Sequence, residues 1–462
     1  MVGAGGGPFA AATMFLNRLT IPLIASDSPG EPERSMPIVI NTAAIEGYAD
    51  VISVEPGGTL ALKVSSYSPT FSLEIARYGA ETEVLIRESG IPGGIQNYPL
   101  DAFREGAGWE TRYSLEIPAG WRSGIYAAKL TDDGTGHAHY VSFVVKKDPA
   151  APPARLVVLA NTNTWQAYND WAGGSFYVDF PSADIPEDEV LARQFAPGFA
   201  NMHRPNQMAY PLGDEGHLTQ AELHVLRWLE RNGWEFDLIS DWDLHHEAGI
   251  LDGYAAFMLQ THPEYWSEAM YDQLDAYLDR GGNLAYIGGN AIDLKVVVSG
   301  TVLEVRTAGG PHQLDGEPGG YWRNLGRPQA GVLGVAYDSY GYHTYAPFEV
   351  LLADHWVFAG TGLAAGSLIG QTGLNRGKAS GWETDKRGPG TPENVTLLAK
   401  GTNPDNGGAE MTYFEHPGGG GVFSAGSITF GGSLAVDGNL SQILQNVLSR
   451  FTGQPGLGSA PR

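Results

Sequence analysis

Cysteine is absent from all 462 residues. That excludes disulfides, thiolate zinc sites, iron–sulfur clusters and a thiol nucleophile, and it leaves the redox compartment open. Positive charge is scarce: 28 Lys and Arg stand against 52 Asp and Glu, a formal charge of −24. Such a surface repels phosphate backbones, so nucleic acid is not an expected partner. Long hydrophobic runs are missing too. The best candidate, Phe9 to Ile24, is broken by Asn17, Arg18 and Pro22 and falls short of the ~20 apolar residues a spanning helix needs. It also lacks the basic segment that opens a secretory signal. A membrane partner is not expected; a cytoplasmic location is, with secretion as the alternative. The G-x-S-x-G, H-E-x-x-H and P-loop motifs do not occur, which sets aside the chemistries they carry.

What is present is an ordinary globular mixture, 42% hydrophobic with 63 Gly, long enough for two or three domains at ~150 residues each. Residues 1–35 read as a weakly ordered leader and 454–462 as a tail. From 36 to 150 the chain predicts an antiparallel β-sandwich of seven short strands: Ala49–Ser53, Thr59–Ser65, Phe71–Tyr78, Thr82–Glu88, Arg112–Ile117, Gly124–Leu130 and Ala138–Val145. The Pro-rich stretch Lys146 to Pro153 reads as a stiff linker and domain boundary. Residues 154–453 then alternate strand and helix. Leu156–Ala160, Phe236–Ile239, Tyr254–Leu259 and Asn283–Ile287 are strands, and Leu218–Asn232, Ser267–Asp279 and Leu440–Phe451 are helices. This rhythm predicts an open, doubly wound sheet, with Gly-rich irregular loops over 300–400.

In such sheets ligands bind beyond the carboxyl ends of the parallel strands. Those ends carry Asn161 to Tyr177, dense in Asn, Tyr and Trp, then Thr261-His262-Pro263-Glu264-Tyr265-Trp266, then Gly288-Gly289-Asn290. Simpler roles exist for each. Gly288 and Gly289 are ordinary turn residues, Ser267 an N-cap, His262 a structural hydrogen-bond partner, and Tyr168 and Tyr177 packed rings. Glu264 is less easily dismissed, because a carboxylate in that setting must be solvated or paired. His245-His246-Glu247 is a weak metal candidate, Gly381-Trp-Glu383-Thr-Asp385 a lid or loop network, and Tyr337–Tyr345 a stacking surface or a packed loop.

Asn161-Thr162, Ala167-Tyr168-Asn169, Trp171, Gly173-Gly174-Ser175-Phe176-Tyr177, His262-Pro263-Glu264-Tyr265, Gly288-Gly289-Asn290 and Gly381 to Asp385 together resemble the catalytic region of the N,N-dimethylformamidase large subunit. The resemblance covers about 154–453, and the preceding sandwich is similar as well. It implies a class I glutamine amidotransferase-like fold, with Asn290 near the place of those enzymes' nucleophilic Cys. It also implies a mononuclear iron, Fe³⁺, held by Tyr168, Tyr177 and Glu264, with His262 and Asn290 behind them. Phenolates and a carboxylate are hard donors that suit such an ion. The implied activity is an amidase or formamidase acting on a non-peptide C–N bond of a small amide. Glu264 or His262 would handle the proton, and Asn290 would donate to the oxyanion. A non-catalytic carbohydrate- or ligand-binding protein on the same scaffold is the alternative, and a structural or assembly domain a third reading. The nine-residue interval from Tyr168 to Tyr177 is compact for the family, so dimethylformamide itself is not implied. Homo-oligomer formation and a small partner subunit stay open.

Overall fold

The computed structural model describes Thr20–Ile21 and residues 37–177, 198–213 and 216–454. The expected leader and tail therefore lie, apart from Thr20–Ile21 and Gln454, outside the described residues. The N-terminal part is two facing sheets. One contains β1 (Ile45–Ala49), β3 (Thr59–Ser66) and β6 (Thr111–Glu116). The other runs β2-β8-β7-β4-β5, with β2 Ser53–Val54, β4 Thr70–Tyr78, β5 Thr82–Pro92, β7 Gly124–Asp132 and β8 Ala138–Val145. Pairing within both is antiparallel, except that the edge strand β2 pairs in parallel with β8. Of the strand expected over Ala49–Ser53, residues 50–52 are in fact the turn between β1 and β2, where the chain crosses from one sheet to the other. Leu60, Leu62 and Val64 meet Phe71, Leu73, Tyr126 and Phe143 between the sheets.

Part of the five-stranded sheet, its central strands, is buried on the second face as well. Successive strand residues point to opposite faces, so Tyr126 and Ala128 enter the sandwich core while Ile125 and Ala127 join the core of the rest of the chain. They share that core with Leu223, Leu226 and Leu229 of α2 (Thr219–Arg231). Arg77 of β4 pairs with Glu230 of α2, both largely buried. Lys146 reaches Asp243 at 3.2 Å, and Leu238 N–H donates to Ser123 Oγ at 2.8 Å.

The second part is organised by a nine-stranded mixed sheet. Its parallel half runs β10 (Phe236–Ser240), β9 (Leu156–Ala160), β11 (Ala256–Thr261), β12 (Asn283–Gly288) and β17 (Gly421–Ser424). Its other half is antiparallel: β16 (Glu410–Glu415), β15 (Thr396–Gly401), β13 (Phe348–Val350) and β14 (Leu368–Ile369). All five residues of β9 are buried, as an interior parallel strand covered on both faces requires. α2 and α5 (Gly438–Thr452) cover one face, and α4 (Glu268–Asp279) the other. The helix ends follow local chemistry. Ser267 Oγ accepts from Met270 N–H, Asp437 caps α5, and Gly453 closes it in the left-handed region.

The expectation of a purely doubly wound sheet with loops over 300–400 is corrected here. That interval supplies three strands of the main sheet, β13, β14 and nearly all of β15, and several short ladders. Leu294–Ser299, Val302–Val305 and Pro318–Tyr321 form a small sheet joined by Gly198–Asn201 and Tyr265–Trp266. Ala336–Tyr337 pairs with Asp385–Lys386, and Thr344–Ala346 with Ser380–Trp382. Strands of two to six residues carry too few side chains to show a period, so composition alone made them look irregular. Among the described residues no helix is long and apolar enough to cross a membrane.

Candidate active site

β9, β11 and β12 are neighbours in the sheet, so their carboxyl ends share one rim. Just past β9, α1 (Thr162–Ala167) is tied across that rim by its own polar residues. Asn161 Nδ2 donates to Gln260 O at 2.8 Å, Asn163 N–H to Asp241 at 2.7 Å, and Thr164 Oγ1 to His262 O at 2.7 Å. The Asn/Thr density after β9 is thus scaffold. It fixes a short helix whose C-cap is Tyr168.

The loop onward to Tyr177 is shaped by a buried cation that the sequence did not single out. Arg204 donates to the carbonyls of Asn169 (2.8 Å), Trp171 (2.7 Å) and Gly174 (2.6 Å). Burial lowers its pKa to about 9. The loop returns Tyr177 to Tyr168, with ring centroids 4.4 Å apart. Tyr177 Oη lies 3.1 Å from Glu264 Oε2 and also bonds Tyr265 Oη. Burial, then the Glu264 charge, hold both Tyr168 and Tyr177 well above the usual phenol range.

β11 ends at Thr261, whose φ of 56° is unusual for a β-branched residue. The turn it makes aims His262 into the cluster. His262 Nδ1 faces Gly289 O at 3.1 Å, and Nε2 faces Glu264 Oε2 at 3.1 Å and Glu383 Oε2 at 3.9 Å. Both nitrogens point at acceptors, which is the arrangement of an imidazolium. Burial opposes that form, but Glu264 and Glu383 prevail and raise the pKa to about 9. β12 ends on Gly288, Gly289 follows it, and neither is there for a left-handed turn. A Cβ on Gly288 would stand 2.7 Å from Thr261 O, and one on Gly289 2.6 Å from Glu383 O. Close approach of two backbones is what demands glycine here. Asn290 follows at φ 52°, with its N–H on Asp385 Oδ1 at 2.8 Å and its side-chain amide on Glu383.

Tyr168, Tyr177, His262, Glu264 and Asn290 therefore gather at one buried rim. Glu383, from the Gly381–Asp385 stretch, completes it, and burial raises its carboxyl to about 7 with Glu264 adding to the rise. His217 is a second residue that sequence reasoning misses, being a lone His close to two glycines. Its ring stands 4.4 Å from Tyr168, 4.7 Å from Trp382 and 5.9 Å from His262, centroid to centroid. His245 and His246 take their simpler roles, bonded to Ser267 Oγ and Trp242 O. Among the described residues no three His, Asp or Glu side chains are grouped as a metal site; the oxygen donors that converge are two phenols and one carboxylate.

Residues 72–444 match the family described as N,N-dimethylformamidase beta subunit-like, C-terminal. The N,N-dimethylformamidase beta subunits of an Alcaligenes species and of Paracoccus aminophilus are each 27% identical to this chain over 74% of its length. The similar subunit is thus the one named beta. The chain spans about half, 54%, of the length of these relatives. A solved ThuA-like protein from Parabacteroides merdae aligns over 67% of this chain and 93% of its own, at 13% identity and a TM-score of 0.31. With a family match running from β4 into α5, the chain belongs to the N,N-dimethylformamidase beta subunit-like, C-terminal family.

Proposed function

We propose that this protein is an iron-dependent hydrolase of the C–N bond of a small amide, with its α/β region built on the plan of the class I glutamine amidotransferases. The observation that carries the reading is the convergence of the half-buried Tyr168 and Tyr177 with the buried Glu264 beside His262. The donor set fits a trivalent cation: three hard oxygens meet, and both phenols are held neutral by burial and a neighbouring carboxylate, a situation that added positive charge reverses. Tyr168, Tyr177 and Glu264 would hold the ion, whose chemistry is to polarise the amide carbonyl and acidify water.

The chain's own residues handle the protons. His262 stays cationic between Glu264 and Glu383, fixing both carboxylates. Glu383, with its raised carboxyl, is suited to take a proton from water and return it to the departing nitrogen. Asn290 holds Glu383 in place through its side-chain amide. Trp382 and Tyr168 flank the site, both packed edge-on against His217. The name beta subunit carried by the relatives supports a further partner chain for this one. The test is metal analysis of purified protein alongside release of carboxylate from small amides. Stoichiometric iron, a visible phenolate-to-iron absorption and turnover are expected; a protein that stays iron-free and inert after ferric loading overturns the reading.

A further inference from the structure

The turn that follows β12 carries Asn290, whose side-chain amide holds Glu383. It is not a relaxed turn. Asn290 and Ile292 both stand at φ 52°, a region that Asn tolerates and a β-branched residue disfavours. Such a backbone persists only where its surroundings fix it. Two side chains behind the rim, both 0% exposed, do so. Asp385 Oδ1 accepts the Asn290 N–H at 2.8 Å, and Tyr286 Oη accepts the Ala291 N–H at 3.1 Å. Tyr286 Oη in turn donates to Asp385 Oδ2 at 2.5 Å. Neither partner is loose. Tyr286 belongs to β12, and Asp385 pairs with Tyr337 on one side and gives its N–H to Gly426 O at 2.8 Å on the other.

These bonds close a circuit. Asp385 lies two residues beyond Glu383 and grips the main chain of Asn290, while the Asn290 side chain returns to Glu383. Resting on the reading in which Glu383 carries the proton, we propose that Asp385 and Tyr286 are positioning residues of that reaction, acting through Asn290 to set the direction of the Glu383 carboxyl. The far end of the turn is held separately. Ile292 N–H bonds Pro263 O at 2.9 Å, and Asp293 N–H bonds Glu264 O at 3.0 Å. Losing the Asp385–Tyr286 pair therefore shifts Asn290 and Glu383 and leaves Glu264 in place.

The experiment follows turnover of formamide, N-methylformamide and N,N-dimethylformamide by the iron-loaded full chain, with hydrogen exchange over residues 287–292. Tyr286→Phe and Asp385→Ala should each lower kcat about 10–100-fold on whichever amide is best, since a misplacement of ~1 Å can cost ~10²-fold. KM should stay within about threefold, iron content and visible absorption should be retained, and the turn should exchange faster. Asp385→Asn keeps an acceptor for the Asn290 N–H and a donor for Tyr286 Oη, so it should recover kcat to within about threefold of wild type. Asn290→Gly keeps that N–H and accepts the positive φ. In its background Asp385→Ala should cost less than about threefold more, because residues acting through one another are not additive. Wild-type kcat or unchanged exchange in Tyr286→Phe, or a full further loss from Asp385→Ala in the Asn290→Gly background, overturns the inference while the hydrolase reading stands. Wild-type protein that turns over none of the three amides overturns the hydrolase reading and this inference with it.

Discussion

Replacing Glu222 by Gln should make the protein more stable at alkaline pH and flatten its pH dependence. Glu222 lies in α2 beneath α1, 0% exposed. Its Oε1 accepts from Trp165 Nε1 at 2.7 Å, and Oε2 from the Asn161 N–H at 3.4 Å. These bonds favour the carboxylate, but burial outweighs them and raises the pKa to about 8. The folded protein then keeps a proton that the unfolded chain releases above the ordinary Glu value. Stability is fully present below that value and falls as pH rises, at about 1.4 kcal/mol per pH unit, until the folded carboxyl ionises near 8. Between pH 6 and 8 the loss from this one group comes to roughly 2 kcal/mol. Gln keeps the volume and an acceptor for Trp165 but carries no proton to lose. Denaturant unfolding of both proteins at pH 6, 7 and 8 isolates the effect, because the other titrating groups cancel in the difference. A gap that widens with pH is expected. Parallel curves would show that Glu222 is ionised in the folded state and that its hydrogen bonds from Trp165 and Asn161 outweigh burial.

Tyr168→Phe, Tyr177→Phe and Glu264→Gln should each fold normally and lose most bound iron and visible absorption, read by metal analysis and spectroscopy; the double Tyr variant should be little worse in activity than either single, since the ligands act as a unit. With Glu383 near 7 and His262 near 9, kcat/KM should rise through about pH 7 and fall above about 9, and Glu383→Gln should remove the rising limb and cost ~10²–10⁴-fold in rate. Arg204→Met should strand three loop carbonyls and cost roughly 3 kcal/mol in unfolding free energy, with lower iron affinity because the loop bearing Tyr177 loosens. Gly288→Ala has a Cβ 2.7 Å from the Thr261 carbonyl and should cost about 1–3 kcal/mol by overpacking, with activity lost beyond what stability explains.

The rim was legible because buried parallel strands announce themselves as apolar runs and the residues after them fall together by topology. Tyr168, Glu264 and Asn290 needed no more than that rule to be placed near one another. Tyr177 needed more: it returns to Tyr168 because Arg204, distant in sequence, gathers the intervening carbonyls. His217 was invisible because its place at the rim is set by packing against Tyr168 and Trp382, and no spacing encodes that. Gly288 and Gly289 look like turn residues, whereas their role is set by strands that are far away in the chain. The ladders between 300 and 400 escaped because short Gly-rich strands carry no period. The core that Ile125 and Ala127 share with α2 escaped because alternation in β7 shows two buried faces without saying what covers the second.

That doubly covered sheet has a consequence for how the chain can be divided. A sheet with both faces occupied is an interior wall, whatever its position in the sequence. Cutting at 147–153, where the prolines lie, would peel Ile125, Ala127 and Val144 out of the core they share with Leu223, Leu226 and Leu229 and strand Glu230 without Arg77. The family match, opening at residue 72, takes in most of this wall together with the sheet that bears the rim. Melting should therefore be one cooperative event, and a substitution such as Ala127→Asp, far from Tyr168, should loosen the rim by unseating the helix beneath it.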